Sequence, residues 1–166
     1  MRLLRETQKG NPIAFRSLLE PYLPGIWSIC RGFCASAAEA TEVVLGFRDD
    51  LHGRLRAFHH DRAFGVQLYS ALWQYLTEDL EPPRGLGIQA VYPAPGKALR
   101  PPGPDDDRII REILAMTPPI PRLVYLFWMI TDLDAGRLAQ MLGVPEMAVR
   151  EARANVTARI QEGLSQ

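Results

Sequence analysis

An all-α fold of two small helical domains joined by a Pro/Gly-rich linker is what this sequence predicts, on three observations. Apolar residues recur three and four positions apart before residue 81 and again after residue 107, the spacing of a buried helix face. No segment shows the every-second-residue alternation of a half-buried strand. Between the two helical blocks, Glu81 to Asp107 holds seven Pro and four Gly in 27 residues, which excludes a continuous helix or a central strand. The expected organisation is a first domain over 1–80, a linker over 81–107 and a second domain over 108–166. Each domain owns only a modest core at this size.

The first block opens at Asn11-Pro12, an N-cap side chain followed by a proline whose missing N–H costs nothing in the first turn. Phe15, Leu18, Leu19, Tyr22, Ile26, Ile29, Cys30 and Phe33 follow at helical spacing, with Pro21 and Pro24 expected to break the run locally. Ser36-Ala37-Ala38-Glu39 reads as a capping box. It opens a helix with Val43, Val44, Phe47, Leu51, Leu55 and Phe58 on one face. His59-His60-Asp61 interrupts the pattern, and a further helix carries Phe64, Leu68, Leu72, Tyr75, Leu76 and Leu80.

The linker is expected to be extended, at about 3.1 Å per residue, with a reach of up to roughly 80 Å. It reads equally as a bare tether or as a segment in which Val91 and Tyr92 dock. After it, Ile109, Ile110, Ile113 and Leu114 predict a short amphipathic helix ended by Thr117-Pro118-Pro119, with Asp105-Asp106-Asp107 placed at its start, where the helix dipole favours negative charge. A second apolar helix runs from about Pro121 to Ile130. The stretch from Asp134 to Val149 then has the chemistry of a helix-turn-helix. Leu138 and Leu142 are buried, Ala139 is small where two helices cross, Gly143 supplies a left-handed turn and Pro145 restarts the chain. Residues from about Glu146 to Arg159 form the recognition helix, although a plain helical hairpin gives the same pattern.

Composition bounds the function. The chain is 47% hydrophobic and 23% charged with a net charge of zero, an ordinary globular balance. The first 80 residues carry nine basic and nine acidic side chains, and residues 108–166 carry seven and six. A protein holding DNA alone is usually visibly basic, so DNA binding here needs a partner. No apolar run approaches the ~20 residues that a bilayer requires, so no membrane insertion is expected. The residues from Met1 to Glu6 lack a secretory signal pattern, and the expectation is a cytoplasmic protein. Cys30 and Cys34 with His59 and His60 do not have zinc-knuckle or ribbon spacing and read as free thiols. Gly85-Leu86-Gly87 follows no strand and is too short for a phosphate loop. No set of nucleophile, base and orienting residue emerges. The expectation is therefore no enzyme, no metal and no cofactor.

Several motifs in order carry a resemblance over nearly the whole chain. They are Gln8 to Leu18, then Tyr22, Pro24 and Ile26-Trp27-Ser28-Ile29, then Ala38-Glu39 with Arg48, and then Asp61 to Tyr69. In the last domain Pro118-Pro119, Arg122, Leu138-Ala139, Leu142-Gly143 and Pro145-Glu146 to Val149 continue the series. In these the chain resembles the extracytoplasmic-function (group IV) sigma factors of bacterial RNA polymerase. The resemblance implies a sigma region 2-like bundle that binds the β′ clamp of the RNA polymerase core and melts promoter DNA. It also implies a region 4-like helix-turn-helix that reads a distal promoter element, and an anti-sigma factor as a further partner.

Carried over residue by residue, the resemblance places polymerase contacts at Glu39, Phe47, Arg48, Asp49 and Asp50. It places contacts to the melting element at Arg62, Tyr69 and Trp73, with Tyr69 and Trp73 reading either as stacking groups or as packing. Contacts to the distal element fall at Arg150, Arg153 and Arg159, which read either as a DNA face or as a solvated one. The sequence departs from the family on each surface. Where the family carries acidic and Gln residues followed by an aromatic, this chain has Ala40 to Phe47, with Gly46 in the place of the aromatic. Thr77-Glu78-Asp79-Leu80-Glu81 is acidic where the family is Arg-rich. Ala152, Asn155 and Thr157 replace basic or bulkier groups, and Met147 replaces a Gly. Three readings follow: a working sigma factor, a sigma fold repurposed for protein binding as a decoy or adaptor, and a helix-turn-helix regulator independent of polymerase.

Overall fold

The computed structural model describes residues 2–78, 80 and 104–165, and the side chains of 104–107 lie outside that description. Most of the expected linker, with Val91, Tyr92 and Glu81, is therefore outside the described residues. The chain divides into two compact units, Met1–Asp79 and Leu80–Gln166, and the described residues form helices joined by turns, with no strand among them.

In the first unit the helices are α1 (Arg2–Gln8), α2 (Pro12–Leu19), α3 (Leu23–Phe33), α4 (Ala37–Arg54) and α5 (Phe64–Thr77). The Asn11 side chain accepts from the backbone N–H groups of Ile13 and Ala14 at 3.0 and 3.2 Å, capping α2 as the sequence predicts. The proline-bearing stretch Glu20–Tyr22 tightens to a 3₁₀ turn between α2 and α3. Ser36 Oγ accepts from Glu39 N–H at 3.1 Å, and the Glu39 carboxylate reaches back to Ala35 N–H at 2.8 Å. This is a capping box with its return bond shifted by one residue. Helix α1 packs on α2, α3 on α4 and α4 on α5, around a core that includes Leu4, Ile26, Ile29, Phe47, Leu51, Leu68 and Leu72.

Helix α1 is absent from the sequence-based expectation. Only Leu4 and Thr7 of it are buried, too few to set a visible period. Its anchor is long-range: the Gln8 amide donates to the carbonyls of Leu55 and Phe58 at 2.9 and 3.1 Å, tying α1 to the 3₁₀ turn Leu55–Ala57 that follows α4.

The second unit holds α6 (Pro104–Met116), α7 (Pro119–Ile130), α8 (Ala135–Leu142) and α9 (Glu146–Gly163). Helix α6 starts at Pro104, inside the stretch assigned to the linker, because proline at the first helical position is pre-organised for the turn. Helix α9 packs against α6, α7 and α8. Leu123, Phe127, Leu138, Val149 and Val156 are buried between them. Arg122 braces the end of α6, its guanidinium donating to the Ala115 carbonyl at 2.8 Å and to the Thr117 carbonyl at 2.7 Å. Burial lowers its pKa.

Candidate partner and DNA interfaces

Helix α4 carries the residues assigned to polymerase, and their settings differ. Phe47 is 1% exposed, which corrects its assignment as a contact: at position 47 of the run 47, 51, 55 it faces the core with Leu51 and Leu55. Glu39 is exposed and closes the cap of α4. Arg48 and Asp49 are exposed and paired with each other at 2.9 Å. Asp50 is half-buried and bound by Arg54, which also reaches Gln74 and, at 3.7 Å, Glu78 on the C-terminal side of α5. Part of the acidic end of α5 is therefore neutralised within the unit, while Asp79 and Glu81 lie outside the described residues.

Gly46 is not simply a gap in this surface. The Tyr75 hydroxyl from α5 lies where a Cβ at Gly46 would stand, and the Tyr75 ring tilts against Phe47 with centroids 5.6 Å apart. A side chain at 46 would require the Tyr75 hydroxyl to move. Burial, then the nearby Asp50 carboxylate, raise the Tyr75 phenol above its usual pKa and keep it neutral.

An apolar groove of about 510 Å³ runs beside this face. Phe15 and Leu19 of α2, Leu23 of α3, and Val44 and Leu45 of α4 line it, together with Arg16 and Arg48. Leu23 and Leu45 are 40% and 45% exposed, high values for leucines inside a helical unit. The groove was not foreseen from the sequence. The available signal was the run Val43-Val44-Leu45, which is too wide for one buried helix face.

The residues assigned to the melting element are dispersed by burial. Trp73 is 7% exposed and packs in the core, so its ring is not presented for base stacking; this corrects the stacking assignment in favour of packing. Tyr69 is half-buried, edge-on to Tyr22 at 6.2 Å between centroids, and burial raises its pKa. Arg62 is exposed in the turn before α5. Gln67 fixes that turn, accepting from His59 N–H at 2.7 Å and donating to the carbonyls of His59 and Arg62 at 2.8 and 3.3 Å.

In the second unit the helix-turn-helix forms as the residues dictate. Asp134 caps α8 by accepting from Arg137 N–H at 2.8 Å. Gly143 takes the left-handed conformation, φ +69°, its N–H bonding to the Ala139 carbonyl, and α9 begins directly after Pro145. Arg150, Arg153 and Arg159 are all exposed on α9. Two of them are already engaged. Arg150 donates through Nε and Nη2 to one Glu146 oxygen at 2.9 and 2.6 Å. The Arg153 guanidinium lies 4.1 Å from the Trp128 ring centroid, a cation–π stack. The Glu146–Arg150 pair is legible as i,i+4 spacing, whereas Trp128 as the seat of Arg153 is a tertiary fact. Met147 is 59% exposed at the start of α9.

Cys30 is buried and Cys34 half-buried, both free thiols; burial, then Cys34 nearby, pushes the Cys30 thiol up to about 12. Among the described residues no group of three or more His, Cys, Asp or Glu side chains could hold a metal ion, and no helix is long and apolar enough to cross a membrane.

No protein-family model and no curated protein matches the sequence. Among solved structures the chain is similar to CnrH, solved in complex with the cytosolic domain of CnrY, with a TM-score of 0.68 at 16% identity over 98% of this chain and 95% of that one. At that identity the likeness shows the fold alone: an all-helical fold, as the sequence predicts, shared with CnrH over nearly the length of both chains.

Proposed function

We propose that this protein is a sigma-factor-like transcription initiation protein that binds core RNA polymerase and directs it to a promoter. The observation that carries the reading is the helix-turn-helix of α8 and α9, with its left-handed Gly143, in a chain that shares the fold of CnrH over nearly the length of both. On this reading Glu39, Arg48 and Asp49 of α4 meet the β′ clamp, with Asp50 held by Arg54 as their support and Phe47 as the packing beneath. Arg150, Arg153 and Arg159 meet the distal promoter element, and Arg62 lies toward the melting element. The neutral charge is compatible with this role because the polymerase supplies most of the phosphate binding. Two weak modules engaged together then gain avidity over either alone.

In the test, core polymerase is combined with the protein and its promoter is found by mapping transcripts. Arg150→Ala with Arg153→Ala should abolish promoter-specific transcription while leaving the complex with core polymerase intact. Unchanged transcription by that double variant would remove α9 from promoter reading.

The apolar groove favours a second reading, a sigma fold used for binding another protein. The CnrH structure contains the cytosolic domain of CnrY, which supports an anti-sigma-type protein as a partner of this chain also. An exposed apolar concavity beside the polymerase-binding helix suits such a partner better than it suits DNA. Under this reading the arginines of α9 are dispensable, and binding depends on Leu23, Val44 and Leu45.

A further inference from the structure

We propose that Glu146 is a specificity-determining residue of the second unit: it holds Arg150 in an internal ion pair and so suppresses binding to DNA of arbitrary sequence. The proposal rests on the reading that α9 faces DNA, and it names the residue that sets how strongly.

Two observations bear on Glu146, and a third on the next arginine of α9. One of its carboxylate oxygens accepts both Arg150 bonds, at 2.9 and 2.6 Å. The other oxygen faces the first turn of α8, 3.5 Å from where a Cβ on Gly136 would stand. There the positive end of the α8 dipole favours a negative charge. The α8 cap residue Asp134, a like charge, stands equally close to that Gly136 position, so it is the two Arg150 bonds that hold Glu146 in place. Finally, the next arginine along α9, Arg153, is stacked on Trp128. A phosphate approaching α9 must compete with the Glu146 carboxylate for Arg150, whereas Arg153, stacked through its face on Trp128, keeps its in-plane N–H donors.

The consequence concerns discrimination. Sequence-independent affinity grows with each phosphate neutralised, and each neutralised phosphate also steepens the dependence on salt. A helix whose Arg150 is occupied at rest gives up part of this general affinity and engages more fully where the promoter and the polymerase together compensate. That behaviour fits a chain with a net charge of zero. Glu146→Gln keeps the size of the side chain and removes its charge, which frees Arg150. Glu151→Gln removes the same charge from the neighbouring position on α9.

The experiment measures binding of the full chain to a duplex of mixed sequence, by fluorescence anisotropy over a series of potassium chloride concentrations. Glu146→Gln should bind about two- to fivefold tighter at low salt, the worth of releasing an exposed ion pair. It should also steepen the slope of log affinity against log salt by about 0.9, one more phosphate neutralised. Glu151→Gln should leave the slope unchanged. An unchanged slope in Glu146→Gln overturns the proposal. Equal effects of the two substitutions overturn it as well, since they reduce it to loss of any nearby negative charge. Promoter-specific transcription by the unsubstituted protein is scored separately. A protein that transcribes while Glu146→Gln gains no duplex affinity refutes this inference and leaves the functional reading standing.

Discussion

Gly46 shows how a single position misleads when read from the chain alone. In sequence it replaces a large residue on a helix and reads as damage, since Gly costs about 1 kcal/mol against Ala in a helix interior. In the fold it is the space that the Tyr75 hydroxyl occupies. Two effects then compete at Gly46→Ala: the helix gains its usual increment, and overpacking against Tyr75 costs about 1–3 kcal/mol. The overpacking should win, because the Tyr75 ring is braced against Phe47. Gly46→Ala is expected to lower the thermal midpoint of the full chain, while in a Tyr75→Phe background the same substitution is neutral or stabilising. An equal loss in both backgrounds would show that the phenol oxygen is not what fills the site. The lesson extends to Phe47 and Trp73. Their roles depend on which neighbour faces them, and family position alone assigned both to surfaces that burial denies them.

Helix ends are the most legible feature of this chain, because capping is local chemistry. Asn11 and Ser36 carry the expected side-chain bond to a backbone N–H, Asp134 caps α8 in the same way, and Gly143 has the positive φ that its place in the turn demands. What was not legible depends on long-range partners: α1 is held through Gln8, Trp128 seats Arg153, and the groove forms only when α2, α3 and α4 meet. The early start of α6 reflects a proline that suits a first helical turn as well as it suits a linker. At this scale the turn between α8 and α9 is the element on which the proposed DNA reading depends. Gly143→Ala forces a Cβ into the left-handed region at about 1–2 kcal/mol. It should lower the stability of the second unit in urea unfolding followed by far-ultraviolet circular dichroism, with the first unit's transition unmoved. A second-unit midpoint unaltered by Gly143→Ala would mean that the turn relaxes at no cost and does not fix the angle between α8 and α9.

Across the whole molecule, the two-block helical pattern around a proline-rich segment was readable from spacing and composition. The partners that give it a function lie outside the chain. The two units divide the proposed work: the first offers an exposed polar face on α4 and an apolar groove beside it, and the second offers α9 as the proposed recognition helix, with Arg150 and Arg153 engaged within the unit. Neither unit carries the excess positive charge that would let it hold DNA alone, so the account stands or falls on the polymerase. The most direct measurement is recovery of the tagged full chain from its native host, with the bound proteins identified by mass spectrometry. The account predicts the large subunits of RNA polymerase in stoichiometric amount. Recovery of other proteins with no polymerase would contradict it and leave the groove, rather than the recognition helix, as the working surface of this fold.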